Sequence, residues 1–298
     1  MNLKRKRSNS CIPSLAPSGT LTPEEDQDVL IPAAKKLHTP SSTSTQASYI
    51  LNNTANALLS LTSLYDTSTS AQGSLRRAVQ LLAQTQLTGH KIITCGVGKS
   101  GFVAQKLSAM LKSLGIASSY MSAAEATHGD LGDVRGPHSP AFGRHVREPG
   151  WSLDGNVRRG ADSIVFISYS GRTEELLRVR DRLPRGVGLV AISGVQSAAQ
   201  CALLASPETS TKDEGDGHDC VPLGEGERVL LPAPIPESEE ATYGVATPTT
   251  SALVAMAVSD MLALCIAEEL FEGDRDRMKE VFKRNHPGGA IGEKSSKK

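Results

Sequence analysis

The chain has 298 residues, and its 32 Lys and Arg balance 32 Asp and Glu, so the formal net charge is zero. That length supports one substantial core or two small ones, and the charge balance excludes a general nucleic-acid binder, which needs a strong basic bias. Aromatic residues at 4% are too few for a base-stacking platform, whereas 39% hydrophobic residues and 27 glycines suit a helix-and-sheet enzyme with many turns. The five cysteines (11, 95, 201, 220 and 265) are widely spaced, odd in number and free of CxxC pairs. That pattern points to a reduced intracellular setting rather than a disulfide framework or a zinc finger.

Residues 1–46 are rich in Ser, Thr and Pro and are expected to be a disordered tail. The basic cluster Lys4-Arg5-Lys6-Arg7 leads into no apolar stretch, so a secretory signal is not expected. The cluster reads as a flexible charged tail, with nuclear import as the alternative to a cytoplasmic location. From Ile50 a helical period begins with Leu51, Leu58, Leu61 and Leu64, breaks near Thr67 to Gly73, and resumes with Leu75, Val79 and Leu82. Strand and helix then alternate. Lys91 to Cys95, Ala117 to Met121, Ser163 to Ser168, Gly188 to Ser193 and Arg228 to Leu231 read as strands. A helix carrying Val103, Leu107, Met110, Leu111 and Leu114 ends at Gly115, and further helices are expected to start near Thr173 and Ser197. Near-continuous apolar strands separated by helices predict a three-layer αβα fold around a five-stranded parallel sheet, of the flavodoxin-like or Rossmann-like kind.

Two Gly-, Pro- and charge-rich segments, 135–160 and 207–227, exceed ordinary connections and read as insertions within a domain spanning 47–292, with a basic tail at 293–298. A final helix is expected from about Pro248 to Leu270, with Thr247-Pro248 as its cap and first turn. Leu253, Met256, Ala257, Met261, Leu264 and Cys265 read as its apolar face, and Asp260 as a buried carboxylate on it holding a neighbouring loop. Its stretch from Ala252 to Ala267 is interrupted by Ser259 and Asp260, so no membrane span is expected.

In an open parallel sheet, ligands bind beyond the carboxyl ends of the strands. Three such ends carry glycines and hydroxyls: Gly96 to Gly101, Ser168 to Thr173, and Ser193-Gly194. Ser100, Ser168, Ser170 and Thr173 are candidate hydroxyl donors to a phosphate, reinforced by helix N-termini. Three familiar motifs fail here. A P-loop would need glycine where Ile93 stands, and a nucleophile elbow would need it where Ser168 stands. Gly96, Gly98 and Gly101 match GxGxxG by spacing, yet no acidic residue ends the next strand near position 121.

Five segments occur in order: GVGKSG (96–101), EATHGDLG (125–132), SYSGRTEEL (168–176), ATPTTS (246–251) and HPGGAIG (286–292). Together they resemble the sugar isomerase (SIS) domain of arabinose 5-phosphate isomerases, over about Leu51 to Gly292. The resemblance implies a homo-oligomer, usually a tetramer, acting on a phosphorylated sugar with no cofactor, no metal, no nucleic acid and no membrane. It implies catalytic roles for Lys99, His128, Glu175, Glu240 and His286, phosphate contacts from Ser100, Ser168, Ser170 and Thr173, and candidate substrate contacts from Arg172 and Thr249. Four residues depart from it: Tyr169 and Arg172 stand where the family reads Asn and Glu in SNSGE, and Thr242 and Tyr243 where its Glu-Ala-Cys-Pro has Cys and Pro.

Aldose–ketose interconversion needs a base to move a proton between adjacent carbons and an electrophile for the enediolate oxygen. The resemblance assigns the proton to His286 or Glu240 and the oxygen or phosphate to Lys99, with Glu175 and His128 orienting them or assisting ring opening. Glu125, His128 and Asp130 also have the residue types of a zinc site, but no further ligands cluster with them. The rivals are a sugar-phosphate sensor without turnover, another SIS-family isomerase, and a scaffold role for the Ser/Thr-rich tail.

Overall fold

The computed structural model describes residues 42–137, 160–205 and 226–288. Residues 1–41, 138–159, 206–225 and 289–298 lie outside the described residues, and with them nearly all of the expected first tail, both insertions, the second tail and the end of HPGGAIG.

Five strands form one parallel sheet in the order β2-β1-β3-β4-β5: β1 (Ile92–Gly96), β2 (Ser118–Ser122), β3 (Ser163–Ile167), β4 (Gly188–Ser193) and β5 (Arg228–Pro232). This is the flavodoxin-like order, in which the chain reverses its direction of winding between β1 and β3. Strands β1, β3 and β4 are buried throughout, as their unbroken apolar runs require, while the edge strand β2 (SSYMS) buries only Met121 fully. Gly96 pairs with both Ser122 and Ile167, and Ser193 with Pro232, so the carboxyl ends finish level.

One face of the sheet, with Ile92, Val165, Ile167, Val190, Ile192, Val229 and Leu231, packs under α1 (Thr43–Thr67), α2 (Thr69–Leu87), α3 (Lys99–Ser113) and the later helix Thr250–Leu270. The other face, with Ile93, Cys95, Ile164, Phe166, Leu189 and Ala191, lies under α4 (Ala123–Ala126), α5 (Glu174–Arg180) and short 3₁₀ turns. Chain order is completed by α6 (Glu239–Tyr243), α7 (Thr250–Leu270) and α8 (Arg275–Arg284).

Several expectations need correcting. Helix α1 starts at Thr43, inside the expected tail, because the Ser42 side chain accepts the Thr45 amide as an N-cap. The break near Thr67 to Gly73 shrinks to Ser68, extended at ψ 110°, whose hydroxyl caps α2 through the Ala71 amide. Among the described residues, the stretch that begins at Ser197 forms the 3₁₀ turns Ala198–Gln200 and Ala202–Leu204 rather than the expected α-helix. Helix α7 buries Val254, Val258, Leu262, Ala263, Ile266 and Ala267, whereas the expected face leaves Leu253 and Leu264 nearly half exposed. Its residues are apolar all round, so periodicity could not choose the face. By length and composition α7 also passes as a membrane span, but half of that stretch is buried against α1, α2 and α3. It is a core helix, and Ser259 and Asp260 interrupt neither its hydropathy nor its packing. Asp260 is half-exposed and ion-paired with Lys106 of α3, rather than buried against a loop.

At the amino end of the sheet, Asp162 is almost wholly buried, and its carboxylate accepts the Lys91 amide at 3.0 Å and the Arg135 amide at 2.8 Å. The Lys91 ammonium closes on the same carboxylate at 2.8 Å, and the Asp162 amide donates to the Arg135 carbonyl at 2.8 Å. A carboxylate this deep is tolerated because both its oxygens are occupied and its charge is paired.

Candidate functional site

The first wall of the site is the passage from β1 into α3. A Cβ on Gly96 would lie 2.6 Å from the Ser100 carbonyl oxygen, so only glycine lets the helix start directly against its strand. Gly98, at φ +57°, is the N-cap residue, and no side chain caps the first turn. Lys99 is exposed and Ser100 half-buried there, beside amides that favour an anion.

The second wall is the loop after β3. Ser168 is buried, its hydroxyl 2.7 Å from the Thr173 hydroxyl, and it accepts the Gly171 amide at 3.2 Å. These two hydroxyls therefore hold the loop's shape. Ser170 and Arg172 are exposed, the Arg172 amide donating to the Ser170 hydroxyl at 3.3 Å. Thr173 is the N-cap residue of α5, and Glu175 is exposed in its first turn, where the helix dipole favours a carboxylate.

The third wall joins the ends of β4 and β5 to the start of α7. The Tyr169 carbonyl accepts the Gly194 amide at 2.9 Å and the Ser193 hydroxyl at 3.0 Å, tying the β3 loop to β4. Ser100, Tyr169, Ser193, Gly194, Pro248 and Ser251 line one cavity of about 40 Å³. Four separate segments thus meet at the carboxyl end of the sheet, beside the point where the winding reverses.

Glu239 was not anticipated as a site residue. It is 8% exposed, and one carboxylate oxygen accepts the Thr249 amide at 2.6 Å, the Ser251 amide at 3.0 Å and the Ser251 hydroxyl at 2.8 Å. The Thr249 hydroxyl lies 3.4 Å from the same oxygen. The cap of α7 is therefore this distant carboxylate, and Thr249, not Thr247, is the N-cap residue. Glu240, the expected proton carrier, is exposed on α6 one position away. The signal for Glu239 lay in the acidic run from Glu237 to Glu240, but spacing alone could not separate two adjacent glutamates that point about 100° apart on a helix.

His128 is exposed after α4, its amide donating to the Glu125 carbonyl at 2.8 Å. Among the described residues no three His, Cys, Asp and Glu side chains gather as a metal site would require, and Glu125, His128 and Asp130 form no such group. His286 is the residue least close to the others. Its ring stacks on Phe282 with centroids 4.2 Å apart, and its Nδ1 lies 2.6 Å from the Phe282 carbonyl oxygen. The adjacent Asn285 amide donates to the Lys112 and Ser113 carbonyls at 3.2 and 3.3 Å, at the far end of α3 from Lys99. The 15 residues of α3 span roughly 20 Å, so His286 sits at the amino end of the sheet and Lys99 at the carboxyl end.

No protein-family model matches the chain. An uncharacterised protein of Rickettsia prowazekii is 30% identical over 202 residues, covering 68% of this chain and 46% of that protein. The arabinose 5-phosphate isomerase GutQ of Salmonella typhi is 29% identical over 203 residues, with the same two coverages. The Escherichia coli CFT073 protein c3406, solved as a ligand complex, superposes with a TM-score of 0.52 at 22% identity, over 81% of this chain and 96% of that one. The chain belongs to the sugar isomerase (SIS) domain family. Its five-stranded parallel sheet between helices is the SIS fold. This SIS chain spans about half the length of the curated relatives it matches.

Proposed function

We propose that the protein is a sugar-phosphate isomerase that interconverts an aldose and a ketose, most like D-arabinose 5-phosphate and D-ribulose 5-phosphate, through an enediolate. The observation that carries this reading is the meeting of the 96–100, 168–173, 193–194 and 248–251 segments around one cavity. The uncapped first turn of α3 with Ser100, together with the hydroxyl-rich loop from Ser168 to Thr173, suits the phosphate. A base takes the proton from C2 of the aldose and returns it to C1, while the C2 hydroxyl proton passes to O1. Lys99 stabilises the enediolate oxygen, and Glu175, Glu240 and His128 serve ring opening and proton transfer. Arg172 and Thr249 are substrate contacts.

His286 joins this chemistry only from a second copy of the chain, since its own copy holds it at the opposite end of the sheet. A homo-oligomer is therefore part of the reading. Leu51 and Leu59 of α1, at 69% and 67% exposure, and Leu253 and Leu264 of α7, at 47% and 48%, offer an apolar surface that an assembly would cover. The test is turnover of a panel of pentose and hexose phosphates by the wild type, Lys99→Met and His286→Ala. The reading expects wild-type turnover and a loss of about 10²-fold or more in Lys99→Met. Tight binding without wild-type turnover would sink the isomerase and leave a sensor, the reading for which Arg172 and the two insertions leave room.

A further inference from the structure

Tyr169 occupies a position that the hydroxyl loop alone does not explain. Its backbone is fixed by the bonds from Gly194 and Ser193 described above, so only its side chain can move. The ring lies over the end of β4: a Cβ on Gly194 would come within 2.3 Å of its Cε2 and 2.6 Å of its Cδ2. The absent side chain at 194 is thus the notch that receives the ring. The phenol extends to the β5–α6 connection, where the Ile235 backbone hydrogen-bonds it and the Glu239 charge lies nearby. Burial and that carboxylate raise its pKa, so the hydroxyl stays protonated.

The ring, 44% exposed, thus lies over the β4 end of the carboxyl edge and lines the cavity with Ser100 and Ser251. The remaining cavity is about 40 Å³, against roughly 300 Å³ or more for an ordinary small-ligand pocket. A phosphate anchored between Ser100 and the Ser168–Thr173 loop leaves the sugar little depth on the Tyr169 side.

We infer that Tyr169, seated in the Gly194 notch, is a specificity-determining residue that limits the carbon-chain length of the sugar phosphate accepted at this site. The inference rests on the sugar-phosphate reading above. Its chemistry is steric: the ring fills the volume that carbons beyond a five-carbon chain would take, and one methylene in an apolar pocket changes selectivity by about 10- to 200-fold.

The experiment measures kcat/KM for five-, six- and seven-carbon aldose phosphates with the wild type, Tyr169→Asn, Tyr169→Phe and Gly194→Ala. Tyr169→Asn is expected to raise the seven-to-five-carbon ratio by about tenfold or more, and Tyr169→Phe to keep the wild-type ratio. Gly194→Ala pushes the ring toward the cavity and lowers the ratio further, which carries the test should Tyr169→Asn fail to fold. A ratio unchanged within twofold in folded Tyr169→Asn, or in folded Gly194→Ala if the former does not fold, overturns the inference. If the wild type turns nothing over, the isomerase reading fails separately, and the same ratios are read from Kd by calorimetry. Absence of binding by every sugar phosphate to every variant overturns both.

Discussion

Replacing Glu239 with alanine removes the acceptor of the Thr249 amide, the Ser251 amide and the Ser251 hydroxyl in a place where Ser251 is only 4% exposed. Water cannot readily take over, so the donors keep much of their desolvation penalty. A hydrogen bond to a charged group contributes about 1.5–3 kcal/mol, and loss of a helix cap costs about 1 kcal/mol. Three such bonds and the cap would sum to about 5.5–10 kcal/mol, but they concern the same donors and the same helix end, so the expected loss is about 3–4 kcal/mol. Glu239→Gln keeps a neutral acceptor and should lose about 1–2 kcal/mol. Glu240→Ala, on an exposed side chain one residue away, should stay within about 0.5 kcal/mol. Urea unfolding at one fixed protein concentration reads all three as midpoint shifts at constant slope. A Glu239→Ala loss below about 1 kcal/mol, or one equal to that of Glu240→Ala, would refute the assignment of the α7 cap.

Gly96→Ala forces a Cβ against the Ser100 carbonyl; it should cost about 2–4 kcal/mol in the same unfolding assay, and an unchanged midpoint would contradict the close approach of strand and helix. Burial pushes the Cys95 thiol up from 9.0 to about 12, against a smaller opposing effect of the Gly96 backbone. At pH 8 its thiolate fraction is then about one in ten thousand, so alkylation should wait for unfolding. The folded pKa lies above the unfolded one, so this group's contribution to stability is full below pH 9 and is lost as pH rises toward 12; Cys95→Ala should flatten that part of the pH–stability curve. Mixing Lys99→Met with His286→Ala subunits should restore about a quarter of wild-type activity if a two-fold pair shares each site, and nothing if each site is made by one chain.

The strands were legible because a parallel sheet covered on both faces demands unbroken apolar runs, and Ile164 to Ile167 or Leu189 to Ile192 supply them. Even β2, poor in apolar residues, could be placed between Gly115 and the following polar stretch. Helix α7 shows where pattern fails: residues apolar on every side carry no phase, so its inner face emerged only from packing against α1, α2 and α3. The loops that line the cavity were visible as glycine and hydroxyl clusters at strand ends. Which glutamate turns inward was not, because the choice between Glu239 and Glu240 depends on how α6 sits against the start of α7. Nor could spacing reveal that α8 carries His286 to the amino end of the sheet, since the Asn285 contact to α3 joins residues more than 170 positions apart.

The Asp162 carboxylate has a consequence for the register of the sheet. By accepting the Arg135 and Lys91 amides on its carboxylate, and donating its own amide to the Arg135 carbonyl, Asp162 clasps the described residues on either side of positions 138–159 directly to the start of β1. The register of β3 against β1, and through it the level of the strand ends that frame the cavity, is thereby set by Lys91, Arg135 and Asp162 themselves.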